Sequence, residues 1–224
     1  MFRQSVFSSR AATIAAAAAA AVIFVMGPLA TRAADAASLS AAQIVERLRA
    51  GGCVLVMRHA QSPFAVPDAR TAKTDNPHRE RQLDEKGEAD ARAFGAALRA
   101  LRIRIGPIYS SPAYRARETV RLAGIGEPKI VEQLSESRHG MSGAAERPQT
   151  EWLHRAVSKS PPAGSNTLIV THTPNIVGAF GNSAAGIKAG ESLVFEPDRA
   201  TGTRLLGRIT VEDLQQLARE RAGQ

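Results

Sequence analysis

The chain has 224 residues, 44% of them hydrophobic and 22% charged, and a formal charge of +8. That length builds one well-cored domain, and the composition excludes both wholesale disorder and a polytopic membrane protein. The basic balance suits an anionic partner, but with 4% aromatic residues and neither basic-aromatic interleaving nor a helix-turn-helix pattern, nucleic acid is set aside.

Arg3 and Arg10 precede an apolar, alanine-rich run from Ala11 to Ala30, and small residues follow, ending in Ala34-Asp35-Ala36. This is the layout of a secretory signal peptide. The run is also about long enough to cross a hydrocarbon core, so an uncleaved anchor over residues 11–30 is the competing reading. Weakly hydrophobic alanine and the A-x-A site favour cleavage. The expected organisation is a leader over residues 1–36 and one domain over residues 37–224, exported to the periplasm and touching the membrane only if the leader is retained. Cys53, the sole cysteine, cannot form an internal disulfide and is expected to be a buried core residue.

Beyond the leader, Ser40 to Gln43 is a capping-box pattern that opens a short helix through Ile44, Val45 and Leu48, stopped by Gly51-Gly52. Cys53–Met57 is an unbroken apolar run, as in a strand buried on both faces of a parallel sheet, and it ends in Arg58-His59. Residues 61–82 turn polar and carry Pro63, Pro67 and Pro77 with Arg70, Lys73, Arg79 and Arg81, the composition of a long functional loop. Asp84 caps a helix in which Phe94, Ala97, Leu98 and Leu101 recur at helical spacing. A short strand is predicted at Ile108–Ser110, and Ser111-Pro112 reads as N-cap and first turn of the next helix.

Thr167–Thr171 is a second buried strand, and Thr173-Pro174 starts a helix directly beyond it. Ser192–Phe195 and Arg204–Ile209 read as a closing pair of strands, and Thr210 with Asp213 begins a C-terminal helix. The alternation predicts an α/β three-layer sandwich: a mostly parallel central sheet with helices on both faces. Trp152 and Phe180 are expected in the core.

In such sheets the working groups sit at the carboxyl ends of strands. Here those ends carry Arg58-His59, Arg115 on the first turn of a helix, and His172 after Thr171. Four basic groups at one edge would repel one another without an anion, and a phosphoryl group fits best. Planar guanidinium forks match its oxygens, and helix N-termini add N–H donors. His78, His139 and His154 lack metal-ligand spacing and read as surface or loop residues.

The chain resembles the histidine phosphatase superfamily, which also contains the cofactor-dependent phosphoglycerate mutases. The resemblance rests on Arg58-His59 after a strand, Gln82-Leu83-Asp84-Glu85-Lys86-Gly87 before a helix, Ser110-Ser111-Pro112 with Arg115-Ala116 and Thr119, and Thr171-His172. It implies a phosphatase that needs no metal and no cofactor, with His59 attacking phosphorus and forming a phosphohistidine that water hydrolyses. Arg58, Arg115 and His172 would hold the phosphoryl oxygens, with Arg81 a further substrate-gripping candidate. Glu136 sits where the mutase-like branch carries its acid, and Glu191 is a second candidate proton donor. Asn175, on the first turn of a helix, is open between packing and substrate contact.

The loop after Arg58-His59 reaches no asparagine, and no long substrate segment fits between Arg115 and His172, so phosphatase is favoured over mutase. The Thr171 to Ile176 segment is similar to small exported members likened to lipopolysaccharide heptose-phosphate phosphatases. The implied substrate is a phosphorylated small molecule or an envelope glycolipid. The alternatives are a non-catalytic anion-binding module of the same fold and a phosphohistidine protein phosphatase, the latter disfavoured by export.

Overall fold

A run of five apolar residues can leave no side chain in water, whichever way a strand alternates, so it must be covered on both faces. In the computed structural model this segment is β1 (Val54–Arg58), and Val54, Leu55, Val56 and Met57 are all fully buried. The structure describes residues 38–136, 147–198 and 202–223, all within one unit, Ala37–Gln224. The leader expected over residues 1–36 and His139 lie outside the described residues.

The other strands are β2 (Ile105–Ser110), β3 (Lys129–Ile130), β4 (Asn166–Thr171), β5 (Ser192–Glu196) and β6 (Arg204–Ile209). They form one sheet in the order β3-β2-β4-β1-β5-β6. β3, β2, β4 and β1 run parallel, β5 runs against β1, and β6 runs against β5, so β5 alone opposes the rest. This is the mostly parallel sheet expected from the alternation of elements.

Alternate residues of the strands feed two cores. Leu55, Met57, Leu168 and Val170 meet Ile44 and Leu48 of α1 (Ala41–Ala50) and Phe94 and Leu98 of α2 (Glu85–Ala100). Val120 of α3 (Tyr114–Ala123) joins the same core, as does Leu214 of the C-terminal helix, Val211–Ala222. On the other face Val54, Val56, Ile169 and Leu193 meet Leu153 and Val157 of α4 (Arg147–Val157) and Ile176 of α5 (Thr173–Phe180). The C-terminal helix is α6. Cys53 is buried in the first core, while Trp152 and Phe180 are partly buried against the second. No described helix is long and apolar enough to cross a membrane.

The helix starts follow the local signals. Ser40 and Gln43 form a capping box, Asp84 accepts from the Gly87 N–H, and Thr210 and Asp213 form a second box. Ser111 is the exception. The helix begins at Tyr114 after Ala113, which has no side-chain cap, and the Ser111 hydroxyl is used elsewhere, as described below. The strand before it is also longer than expected, starting at Ile105. Helix α4, strand β3 and the single-turn 3₁₀ helix Glu132–Leu134 were not anticipated.

Gly87 lets the chain beyond β1 lie against the start of α2. A Cβ there would stand 2.1 Å from the Gln61 carbonyl oxygen, a backbone atom that cannot swing away. Gly87→Ala is therefore expected to lower the unfolding free energy by roughly 1–3 kcal/mol, the usual cost of overpacking. Urea unfolding measures it, and an unchanged midpoint would contradict the close packing of this segment on α2.

Candidate active site

The register of the sheet builds the site. Arg58 lies opposite Thr171, and Ser110 lies opposite Val170, so the residues that follow β1, β2 and β4 emerge together. These residues are His59, Ser111 and His172. The His59 N–H donates to the Thr171 carbonyl at 3.0 Å and the Ser111 N–H to the Val170 carbonyl at 3.0 Å, extending the ladders one step past the strands. Arg115 enters from the first turn of α3, directly beyond β2.

Among these groups the hydrogen bonds determine the proton positions. His59 Nδ1 faces the Ala60 carbonyl at 2.7 Å, and a carbonyl only accepts, so Nδ1 carries the hydrogen. His59 Nε2 receives the Arg115 Nε–H at 3.1 Å, so this nitrogen holds a lone pair. His172 Nδ1 accepts from Arg115 Nη2 at 3.0 Å, which leaves its Nε2–H to donate to Ser111 Oγ at 2.8 Å. Both imidazoles are thus neutral, and their rings meet edge to face with centroids 5.2 Å apart.

Burial holds them so. It is the largest cause that lowers the His59 pKa to about 3, with Arg115, Arg58 and Arg81 acting in the same direction against the Ala60 carbonyl. Burial, then Arg115, likewise depresses His172, to about 2. Arg115 is 5% exposed, and burial shifts its pKa downward while Glu136 opposes the shift. Its Nη2 also donates to Glu136 Oε2 at 2.7 Å. The Glu136 side chain is 39% exposed at the rim.

Arg58 is tied to the opposite wall by its Nη1–H, which donates to the Ile187 carbonyl at 2.9 Å. Its Nε is buried without a hydrogen-bond partner among the described residues, an unused donor at the strand end. Arg81 reaches the site from the loop. Its Nε–H and Nη2–H donate to the Pro63 and Ser62 carbonyls at 2.8 and 2.9 Å, and its guanidinium lies 4.6 Å from the centre of the Phe64 ring. After burial it is the leading cause that lowers the Arg58 pKa, which places its charge at the pocket. Arg79, by contrast, is exposed, and its side chain joins no hydrogen bond or ion pair among the described residues.

The long loop is strapped to the helices under the site. Lys73 bridges Glu88 of α2 and buried Glu118 of α3, and Asp75 accepts from the Tyr114 hydroxyl at 2.7 Å. Glu80 accepts the Tyr114 N–H at 2.8 Å and so caps α3 from outside. Thr119 accepts the Ala60 N–H at 3.1 Å and donates to the Arg115 carbonyl at 2.8 Å, linking the His59 segment to the helix of Arg115.

The remaining candidates separate. Asn175 is buried and donates to the Leu134 and Ser135 carbonyls and to Thr171 Oγ1, packing the segment that carries Glu136. Glu191 has both oxygens taken by the Arg208 fork and accepts the Lys188 N–H as well; burial pushes its carboxyl up, but those partners bring it below the ordinary range. It braces the turn beside Arg58, whose N–H donates to the Glu191 carbonyl at 3.0 Å. His78 and His154 are exposed. Among the described residues no three His, Cys, Asp or Glu side chains cluster to hold a metal ion. Sequence reasoning missed Ser111 as the partner of His172 and Glu80 as the cap of α3; the lone carboxylate between Arg79 and Arg81 was the available signal for Glu80.

The fold and this edge define an α/β protein whose parallel strands end at a buried pocket of guanidinium and imidazole groups. Residues 54–170 match the histidine phosphatase superfamily (branch 1), and the chain belongs to that family of phosphatases. Among solved structures it is similar to the protein histidine phosphatase SixA complexed with tungstate, at 15% identity and a TM-score of 0.50, covering 72% of this chain and 99% of that one. It is also similar to a phosphoserine phosphatase from Entamoeba histolytica in complex with 3-phosphoglyceric acid, at 15% identity and a TM-score of 0.51, covering 72% and 98%. At that identity the likeness establishes the fold alone. No curated protein matches the sequence.

The depressed histidines make a prediction about acid stability. A histidine whose folded pKa lies below its unfolded value contributes stability that is full above about pH 6.5 and is lost as pH falls toward the folded pKa, near 3 for His59. The melting temperature is expected to fall as pH drops through that window, and the slope should flatten in a His59→Gln, His172→Gln variant. An acid slope unchanged in that variant would show that the two imidazoles are not held neutral.

Proposed function

We propose that this chain is an exported phosphomonoesterase that works through a phosphohistidine on His59. The observation that carries the reading is a buried, neutral imidazole whose Nε2 lone pair already faces the guanidinium of Arg115. Such a nitrogen needs no deprotonation before it attacks phosphorus. The tungstate and phosphoglycerate complexes of the two similar structures support a tetrahedral oxyanion, carried by a phosphorylated small molecule, as what enters here. Export rests on the signal-like leader.

In the first step the phosphoryl oxygens take the Arg115 donors now spent on the two imidazoles, together with the spare Arg58 Nε–H. The His59 Nε2–phosphorus bond forms as the bond from phosphorus to the leaving oxygen breaks, in line. Arg58 and Arg115 stabilise the charge that develops on the equatorial oxygens, with Arg81 adding positive potential from the loop; His172 joins them by taking a proton from solvent at Nδ1 once Arg115 has turned to the phosphoryl group, whose negative charge favours the imidazolium. Donors so placed are worth about 3 kcal/mol each in such sites. The Ala60 carbonyl holds Nδ1–H and steadies the positive charge that His59 acquires.

Glu136, a carboxylate against Arg115 before substrate arrives, takes a proton from solvent as Arg115 turns to the phosphoryl oxygens and gives it to the leaving oxygen. An arriving phosphoryl dianion draws Arg115 away from it, and its partly exposed carboxyl stands at the pocket mouth, where the leaving group must exit. In the second step water attacks phosphorus, its proton passes to the Glu136 carboxylate, and the nitrogen–phosphorus bond breaks to release inorganic phosphate and free His59.

Purified protein is expected to release phosphate from an aryl phosphate in the presence of chelator, and His59→Ala should abolish it; activity surviving in that variant would sink the assignment. Glu136→Gln separates the donor from the pocket. Hydrolysis of an alkyl phosphate, whose leaving oxygen needs a proton, should fall about 10²-fold or more. A nitrophenyl phosphate, whose leaving group needs none, should be much less affected. Equal losses on both substrates would remove Glu136 from the role of acid.

A further inference from the structure

The amino ends of the strands, opposite the site just described, carry a second concentration of positive charge. Arg49, Arg99, Arg102 and Arg104, with Ile103, line a cavity of about 520 Å³. They come from the last turns of α1 and α2 and from the segment leading into β2. Glu46 is the one carboxylate paired with any of them among the described residues, through Arg49 Nη1 at 2.9 Å. Arg99 spends Nη1 on the Ala123 and Gly124 carbonyls at the end of α3. Arg102 and Arg104 are exposed and have no acidic partner there, and Arg49 Nε is buried without a hydrogen-bond partner.

Backbone strain marks the same place. Helix α2 ends with the Ile103 N–H donating to the Leu98 carbonyl and the Arg102 N–H to the Arg99 carbonyl, the paired bonds of a Schellman motif. The residue in the left-handed position of that motif is ordinarily glycine, because a Cβ is disfavoured there. Here it is Arg102, at a φ of +58°. Arg102 therefore holds a left-handed position with three other arginines around the same cavity.

We propose that this cavity is a second anion site, distinct from the His59 pocket, that binds a phosphate-bearing ligand through the guanidinium forks of Arg49, Arg102 and Arg104. Guanidinium forks match phosphate oxygens two at a time, and the cavity is of the size that holds a small ligand or a headgroup. The shared chemistry is a phosphate carrying more than one negative charge or a cluster of phosphates, whether free in solution or displayed on a lipid surface.

The test is calorimetric titration with inorganic pyrophosphate, comparing the full chain with an Arg102→Gln, Arg104→Gln variant. The variant should bind one equivalent fewer than the unaltered chain while hydrolysing aryl phosphate at the same rate. That difference of one holds whether or not the His59 pocket takes pyrophosphate, so the two readings fail independently. Equal stoichiometry in both proteins overturns the second site. Arg102→Gly supplies a control that a purely structural turn would not pass. It should raise the melting temperature by about 2 °C, since glycine relieves the left-handed position, yet weaken pyrophosphate binding. A gain in stability with unchanged binding overturns the role of Arg102. Sedimentation with phosphatidylcholine vesicles, with and without phosphatidylglycerol, identifies the source. Binding that needs the anionic lipid and is lost in the double variant assigns a headgroup, and pyrophosphate binding without vesicle binding assigns a free phosphate ligand.

Discussion

A single buried guanidinium organises the working edge of this protein. Arg115 is 5% exposed and donates to His59, His172 and Glu136 at once. A charge taken that far from water must be paired or hydrogen-bonded, and here two neutral imidazoles and one rim carboxylate do it. The same contacts keep the imidazoles from protonating, since a second positive charge beside Arg115 in a dry pocket would be costly. The arrangement is therefore self-consistent only while both histidines are neutral, and that is the state a nitrogen nucleophile requires.

Everything around Arg115 serves to fix its place. The parallel register of β1, β2 and β4 brings His59, Ser111 and His172 to one level, and α3 starts close enough for its first turn to deliver the guanidinium between them. Helix α3 lacks a cap of its own, and Glu80 provides one from the long loop. Lys73 and Asp75 tie that loop to α2 and α3, so Arg81 is carried to the pocket on a segment braced from below. Asn175 does the same for the segment before Glu136. The loop has little regular structure, yet it is an integral wall of the site.

What could be read from the sequence was what depends on near neighbours. The buried strand around Val56, the caps at Ser40, Asp84 and Thr210, and the arginine and histidines at strand ends each lie within a few residues of the signal that reveals them. Ser111 was misread for the same reason: serine before proline is a strong local sign of a helix start, but the hydroxyl accepts only the Ala113 N–H ahead of the helix and also receives His172, sixty-one residues away in the chain. The Lys73 bridge and the Leu134 and Ser135 partners of Asn175 were illegible because they are distant in the chain, and Glu80 was marked only as a lone carboxylate between two arginines. Among the described side chains of helix α4 only Leu153 and Val157 are fully buried, too short a stripe to stand out. Glu191 stood in a suggestive segment, and only the fork of Arg208 shows that it is a brace.

On the proposed mechanism Nε2 of His59 is the atom that takes the phosphoryl group, because Nδ1 is committed to the Ala60 carbonyl. The direct measurement is to quench the protein during turnover of a phosphomonoester under alkaline conditions, isolate the modified peptide and locate the phosphoryl group by nitrogen and phosphorus NMR. The expected product has phosphorus bonded to Nε2 of His59. Phosphorus on Nδ1 or on another residue, or steady turnover with no phosphorylated protein at all, would contradict it.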